Sequence, residues 1–265
     1  MKKHLLLLFS FFSILSCAEM NTNDNEGEPE PYQPKDLRLK SISLKWNDNN
    51  TMKSEDTDFY YDQKGLLSTM EYFKVLETAE ERQTSNFYYT GLLLDSIIVQ
   101  ESFLFTSGPN DGKENKSQFE YYFFHDKDGF ITDEETWADD YKLSHDKYFY
   151  EGERLIKSVT YWTPHPPNKP YTRESNLTYN SDGNVIESGE TKYTYDNMNT
   201  IIKNVYAPSL NRIRSLSKNN ILLFYYNNMG GFEEYKYTYN KDLYPETRKT
   251  YDGNMLIKSE TFTYY

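Results

Sequence analysis

The seven residues Glu234-Tyr235-Lys236-Tyr237-Thr238-Tyr239-Asn240 decide how this chain reads. Three tyrosines fall on alternate positions, and Glu234, Lys236, Thr238 and Asn240 take the positions between them. A period of two in aromatic and β-branched residues predicts a half-buried antiparallel strand. Tyr193 and Tyr195 repeat the pattern around Thr194. Working outward, turn signals recur: Asp62-Gln63-Lys64-Gly65, Thr90-Gly91, Asp128-Gly129, Glu151-Gly152, Asp182-Gly183-Asn184 and Asp252-Gly253-Asn254. Asp-Gly is a strong hairpin signal, because glycine takes a positive φ without a steric cost.

An aliphatic pair follows most turns, as in Leu66-Leu67, Phe130-Ile131, Leu155-Ile156 and Val185-Ile186. The segments after the turns alternate poorly, which predicts a bulge close to the turn or burial on both faces. Two units nearly coincide, Leu155-Ile156-Lys157-Ser158 and Leu256-Ile257-Lys258-Ser259. Such repetition points to an array of one supersecondary unit. The best candidate for a helix is 74–85 (KVLETAEERQTS), which reads equally as a polar hairpin loop. The expected fold is all-β: an antiparallel up-and-down meander of hairpins forming a long curved open sheet or a partly closed barrel.

Composition supports this. The chain has 265 residues, of which 17% are aromatic while only 37% are hydrophobic in total. So large a share of rings excludes both an aliphatic-rich core and a disordered chain. Tyrosine suits a thin sheet, since its ring packs across strands while its hydroxyl tolerates water. The formal charge of −12 would repel phosphates, so no nucleic-acid partner is expected.

The units FYYDQKGLL (59–67), LTYNSDGNVI (177–186), YTYDNMNTII (193–202) and TYDGNMLI (250–257) resemble tyrosine–aspartate (YD, RHS-type) repeats. The chain beyond its leader resembles a Bacteroidetes family of lipoproteins with a domain of unknown function, and most closely so over 192–265. That resemblance implies a porin-like, up-and-down β architecture in the outer membrane. It carries no assigned activity and transfers no catalytic residue.

The first residues read as an address. Lys2 and Lys3 precede a short apolar run from Leu5 to Leu15, too short to span a bilayer. The run ends Ile14-Leu15-Ser16-Cys17, which resembles the lipobox of bacterial lipoproteins. Cys17 would become the acylated first residue; it is also the only cysteine, so no disulfide within the chain and no thiol chemistry are expected. Removing 1–16 removes two lysines and no acids, taking the charge from −12 to −14. Residues 17–34 read as an acidic, solvated, lipid-anchored tether and 35–265 as the β domain. The expected location is the outer membrane, on its outer or its periplasmic face, with membrane contact through the lipidated Cys17.

Chemistry is sparse. His125, His145 and His165 form no metal-ligand spacing, and neither a P-loop nor GxSxG occurs. No metal, cofactor or catalytic residue is expected. Residues 126–135 match part of a calcium loop, but Phe124 stands where the first ligand belongs, and a hairpin turn is the better reading. Asp133, Glu134, Glu135, Asp139 and Asp140 surround Trp137, an acidic cluster able to meet sugar hydroxyls. The loop Trp162 to Tyr171 holds four prolines and His165 between aromatic ends. Trp137, Trp162, His165 and Tyr171 are therefore the candidate ligand-binding residues. Arg212, Arg214 and Lys218 make a basic spot suited to an anion or a partner. The function expected is a non-catalytic binding or structural module for glycan or protein. The alternative is a carboxylate-dependent hydrolase acting on glycan, which would need two acids facing across a cleft.

Overall fold

The computed structural model describes residues 37–48, 51–163, 169–200, 217–226 and 231–265. The expectations for the leader 1–16, Cys17, the 17–34 tether, His165, Arg212 and Arg214 lie outside the described residues. The described chain forms sixteen strands: β1 (Leu39–Asp48), β2 (Thr51–Tyr61), β3 (Leu67–Val75), β4 (Ala79–Thr90), β5 (Leu93–Phe105), β6 (Glu114–His125), β7 (Ile131–Ala138), β8 (Tyr141–Glu151), β9 (Arg154–Trp162), β10 (Tyr171–Tyr179), β11 (Val185–Ser188), β12 (Thr191–Tyr195), β13 (Ile221–Tyr226), β14 (Phe232–Tyr239), β15 (Pro245–Asp252) and β16 (Met255–Tyr264). Each pairs antiparallel with its sequence neighbours, and β1 pairs with β16, so the meander closes into a barrel. Closure leaves no free sheet edge. Residues 74–85 take the hairpin alternative, ending β3 and beginning β4.

Even-numbered strands finish, and odd-numbered strands begin, at one end of the barrel, termed here the clasp end. A bulge lies beside every hairpin there, at Tyr60/Tyr61, Tyr88/Tyr89, Phe124/His125, Phe149/Tyr150, Thr178/Tyr179, Thr194/Tyr195 and Thr238/Tyr239. These bulges are why the pattern slips after each turn. At six of these seven hairpins, and at the end of β16, an inward tyrosine of the even strand donates its hydroxyl to the backbone carbonyl of the first or second residue of the preceding odd strand. The pairs are Tyr61 to Leu39, Tyr89 to Leu67, Tyr150 to Ile131, Tyr179 to Leu155, Tyr195 to Val185, Tyr237 to Ile221 and Tyr264 to Pro245, at 2.6–3.0 Å. Leu67, which accepts from Tyr89, is itself paired with Tyr61, and Leu39, which accepts from Tyr61, is paired with Tyr264. The links thus run around the rim and across the β1–β16 seam, interrupted at β6. His125 holds the corresponding position at the end of β6. The tyrosine hydroxyls satisfy carbonyls, rather than serving mainly to tolerate water.

The turns share a frame too. Asp62, Asp126, Asn180 and Asn240 each accept, through Oδ1, the N–H of the residue four positions on, at 2.8–3.0 Å. In each, the fourth residue has positive φ: Gly65, Gly129, Gly183 and Leu243. Asp196 uses the same frame, but its closing partner is Asn220, whose N–H donates to Oδ1 while its C=O accepts the Asp196 N–H. The segment 197–219 is an insertion within one turn. Asp252-Gly253-Asn254, by contrast, lies at the opposite, far end. The look-alike segments therefore differ: Leu155 is 2% exposed and Leu256 47%.

Each strand has two faces. Phe59, Ile97 and Phe123 are 5%, 1% and 5% exposed and pack with Leu39, Leu67 and Phe87. In a one-layer wall only the lumen can cover side chains of that size, so this face points inward; the Tyr235, Tyr237 and Tyr239 row belongs to it. The alternate face carries Asp56, Glu71, Arg82, Gln100, Lys116, Glu120, Lys147, Glu174, Lys236 and Lys249, spread over nine of the sixteen strands. A bilayer-spanning barrel has the reverse arrangement, with an apolar band outside, and each lysine or arginine at mid-bilayer would cost about 2–4 kcal/mol. This outer wall is built for water.

Candidate functional site

The outward face of β6–β9 gathers the most varied chemistry. Register places Tyr122, Glu135, His145 and Tyr161 in one cross-strand row. A second row joins Glu120, Trp137 and Lys142. A bulge at Thr136/Trp137, with Leu143 as the extra residue, brings Lys142 opposite Trp137. The Trp137 indole N–H donates to Glu135 Oε2 at 3.2 Å, and Lys142 donates to Glu135 Oε1 while its ammonium lies 5.7 Å from the Trp137 ring centre. His145 Nε2 sits 2.8 Å from Asp133 Oδ1, and its ring lies 5.9 Å from that of Tyr161. Tyr161 is 43% exposed, and Tyr122 donates to Glu120 with its ring still accessible.

The acidic cluster around Trp137 is thus divided. Asp133 and Glu135 share its face. Glu134 points inward, 6% exposed, and accepts from Tyr148 at 2.9 Å. Asp139 and Asp140 form the far-end turn, Asp139 with a φ of 50°. Burial alone would raise the Glu135 pKa, but the bonds from Lys142 and Trp137 outweigh it and hold the carboxyl below its ordinary value. Glu135 is therefore a standing negative acceptor, unsuited to giving up a proton as a general acid.

Trp162 and Tyr171 pair across β9–β10 with stacked rings 6.3 Å apart, at the far rim. They belong to the inward face, through Ser144, whereas Trp137 faces out. The candidate residues therefore occupy neighbouring strands but opposite faces. His145 and Tyr161 were not among them; their place beside Trp137 depends on the register of β7–β9. The turn at 126–130 is a hairpin: Asp126 Oδ1 takes the N–H groups of Asp128 and Phe130, and Glu135 is committed to Lys142. Among the described residues no group of three potential ligands could hold a metal.

A second polar centre lies at the clasp end, around the insertion. Asn184, 1% exposed, accepts the N–H groups of Lys218 and Asn219 and donates to Asn219 Oδ1. Asp196 accepts from Asn220 and from the Tyr239 hydroxyl, and Ser217 bridges the Val185 N–H and the Tyr195 hydroxyl. Every bond here joins chain to chain, so the network is a brace. Lys218 and Arg154 line a shallow cleft beside Tyr179 and Gly183.

No family model matches the chain, and no curated protein matches it. Among solved structures, a porin-like protein from Bacteroides uniformis is similar at 10% identity over 89% of this chain and 99% of that one, with a TM-score of 0.41. A porin-like protein from Bacteroides vulgatus is similar at 11% identity over 87% and 99%, with a TM-score of 0.43. Likeness at this distance says nothing about activity.

Proposed function

We propose that this protein is a non-catalytic envelope module, anchored to the outer membrane through an acylated Cys17, whose water-facing barrel wall binds glycan. The observation that supports the reading is the outward row of Tyr122, Glu135, His145 and Tyr161 with Trp137 beside it. Exposed rings stack on the apolar faces of sugars, and fixed carboxylates and an imidazole accept and donate hydroxyl bonds. The groups are already oriented by one another, so little ordering remains to be done on binding. The depressed pKa of Glu135 argues against its serving as the acid of a glycan hydrolase.

A polysaccharide array on the mature protein, with product analysis, tests this. Saturable binding that falls at least about tenfold in Tyr161→Ala and Trp137→Ala, with unchanged thermal midpoints, is expected. Binding indifferent to both changes, or release of shortened glycan, would overturn it.

A further inference from the structure

We infer that half of the clasp-end rim rests in the surface of a lipid bilayer. The residue just before each clasp position points outward. In the first four hairpins it is Tyr60, Tyr88, Phe124 and Phe149, exposed by 42%, 49%, 49% and 45%. In the last three, and at the end of β16, the outward residue at the same level is Thr178, Thr194, Thr238 and Thr263. Leu92 and Leu93, in and beside the β4–β5 turn, add 68% and 40% exposed aliphatic surface to the same arc. At this end of the other half the large exposed apolar residues among those described are Ile156, Leu243 and Tyr265; Ile156 adjoins the arc on β9 and Tyr265 packs edge-on against Tyr61, so only Leu243 stands away from it.

Three features select a bilayer as the occupant. The chain enters the barrel at this end, since Leu39 opens β1 beside β2. Twenty-one residues, 18–38, separate Leu39 from Cys17; this argument rests on the anchoring reading above. Along the chain the clasp end is therefore the nearer to Cys17, and the far end comes only after the ten-residue strand β1, ~33 Å further on. Secondly, the rings stand two strands apart, about 10 Å, with acidic turns between them. Such a discontinuous set suits a fluid interface, where tyrosine and phenylalanine sit at headgroup level, better than a close-packed protein surface. Thirdly, the arc's turns at 62–66, 126–130 and 151–153 carry five acids and two bases. Docking is therefore by apolar insertion, and it does not require anionic lipid.

The test uses the full mature chain with a hexahistidine tag in place of Cys17, held on zwitterionic vesicles containing a nickel-chelating lipid. It does not depend on acylation, which a mass spectrum of the processed native terminus settles separately. An environment-sensitive dye is placed on Leu92→Cys or, at the same end of the other half, on Ser181→Cys. A blue shift at position 92 that is quenched by spin-labelled acyl chains, with a water-like signal at 181, is expected. Water-like emission at both sites would overturn the inference. A shift at 92 that lipid-borne quenchers do not reach, and that grows with protein density, would overturn it in favour of a second copy of this chain.

Discussion

The two halves of the barrel, β1–β8 and β9–β16, share tyrosine clasps along one rim, interrupted only at β6, yet are held together by different physics. The first half buries Phe59, Met70, Phe87, Ile97 and Val99 in a continuous apolar cluster. The second half buries Arg248 and Glu260 as a two-bond ion pair, 8% and 7% exposed, and braces its insertion through Asn184, Asp196 and Asn220. Its apolar cluster is small, built on Leu155, Leu177 and Val185 with Tyr148 of β8 across the boundary. Area burial is non-directional, whereas buried polar bonds tolerate no misfit. One repeat can therefore be stabilised either way, provided the clasp and the turn frame hold the register.

What the halves share should fail in both at once. Burial pushes the Tyr61 phenol up to about 12, against the pull of Arg38, and burial likewise raises the clasp tyrosines Tyr179 and Tyr264. A folded-state pKa above the unfolded value of 10 means that the stabilisation is complete below pH 10. It is lost as pH rises from 10 through about 12. Circular dichroism should show a single alkaline unfolding step in that window, tracking tyrosinate absorbance. Two separate steps would show that the halves are not coupled through the clasps.

The next largest effect separates them. Glu260→Leu strands the Arg248 guanidinium in the wall beneath Tyr235 and Phe262 and should cost about 3–5 kcal/mol in urea unfolding. Adding Arg248→Met should recover most of that loss. Failure to recover would mean that the pair also fixes the β15–β16 register, where Arg248 opposes Glu260 directly.

Near-isosteric changes sharpen the contrast. Asn184→Leu leaves the N–H groups of Lys218 and Asn219 without their acceptor, at about 1–3 kcal/mol for each. Met70→Leu, in the apolar half, should cost less than about 1.5 kcal/mol. Equal losses from the two would remove the distinction between the halves.

Much of this was legible in the sequence because it is local. Alternating tyrosines, Asp-Gly turns and the slip after each turn all lie within ten residues of one another, and strands, turns and bulges came out of them. Closure was not legible, since β1–β16 pairing joins Ser41 to Thr263 across 222 residues. Nor was the insertion, because nothing in the Asp196 segment announces that Asn220, rather than Thr200, completes its turn. The candidate surface was half legible. Trp137 and its acids stand together in sequence, but Tyr161 and His145 reach them only through the register of three strands, and a bulge sets part of that register.

The smallest effect concerns a single φ angle. At the fourth position of the shared turn frame Leu243 sits at φ 64°, where Gly65, Gly129 and Gly183 sit at 81–88°. A left-handed conformation costs an L-residue about 1–2 kcal/mol, and part of that returns as the greater unfolded-state freedom of glycine. Leu243→Gly should therefore stabilise the protein by about 0.5–1 kcal/mol, a rise of roughly 2 °C in thermal midpoint. Gly183→Ala should do the opposite, because its φ is 87° and an added Cβ would come within 3.2 Å of the Lys218 side chain. If Leu243→Gly were instead destabilising, the leucine side chain would be holding its turn against the insertion, to which the Leu243 carbonyl is already tied by the Asn199 N–H at 3.2 Å. The polar half would then depend on an apolar contact at an exposed corner, a place where the difference between the halves would not hold.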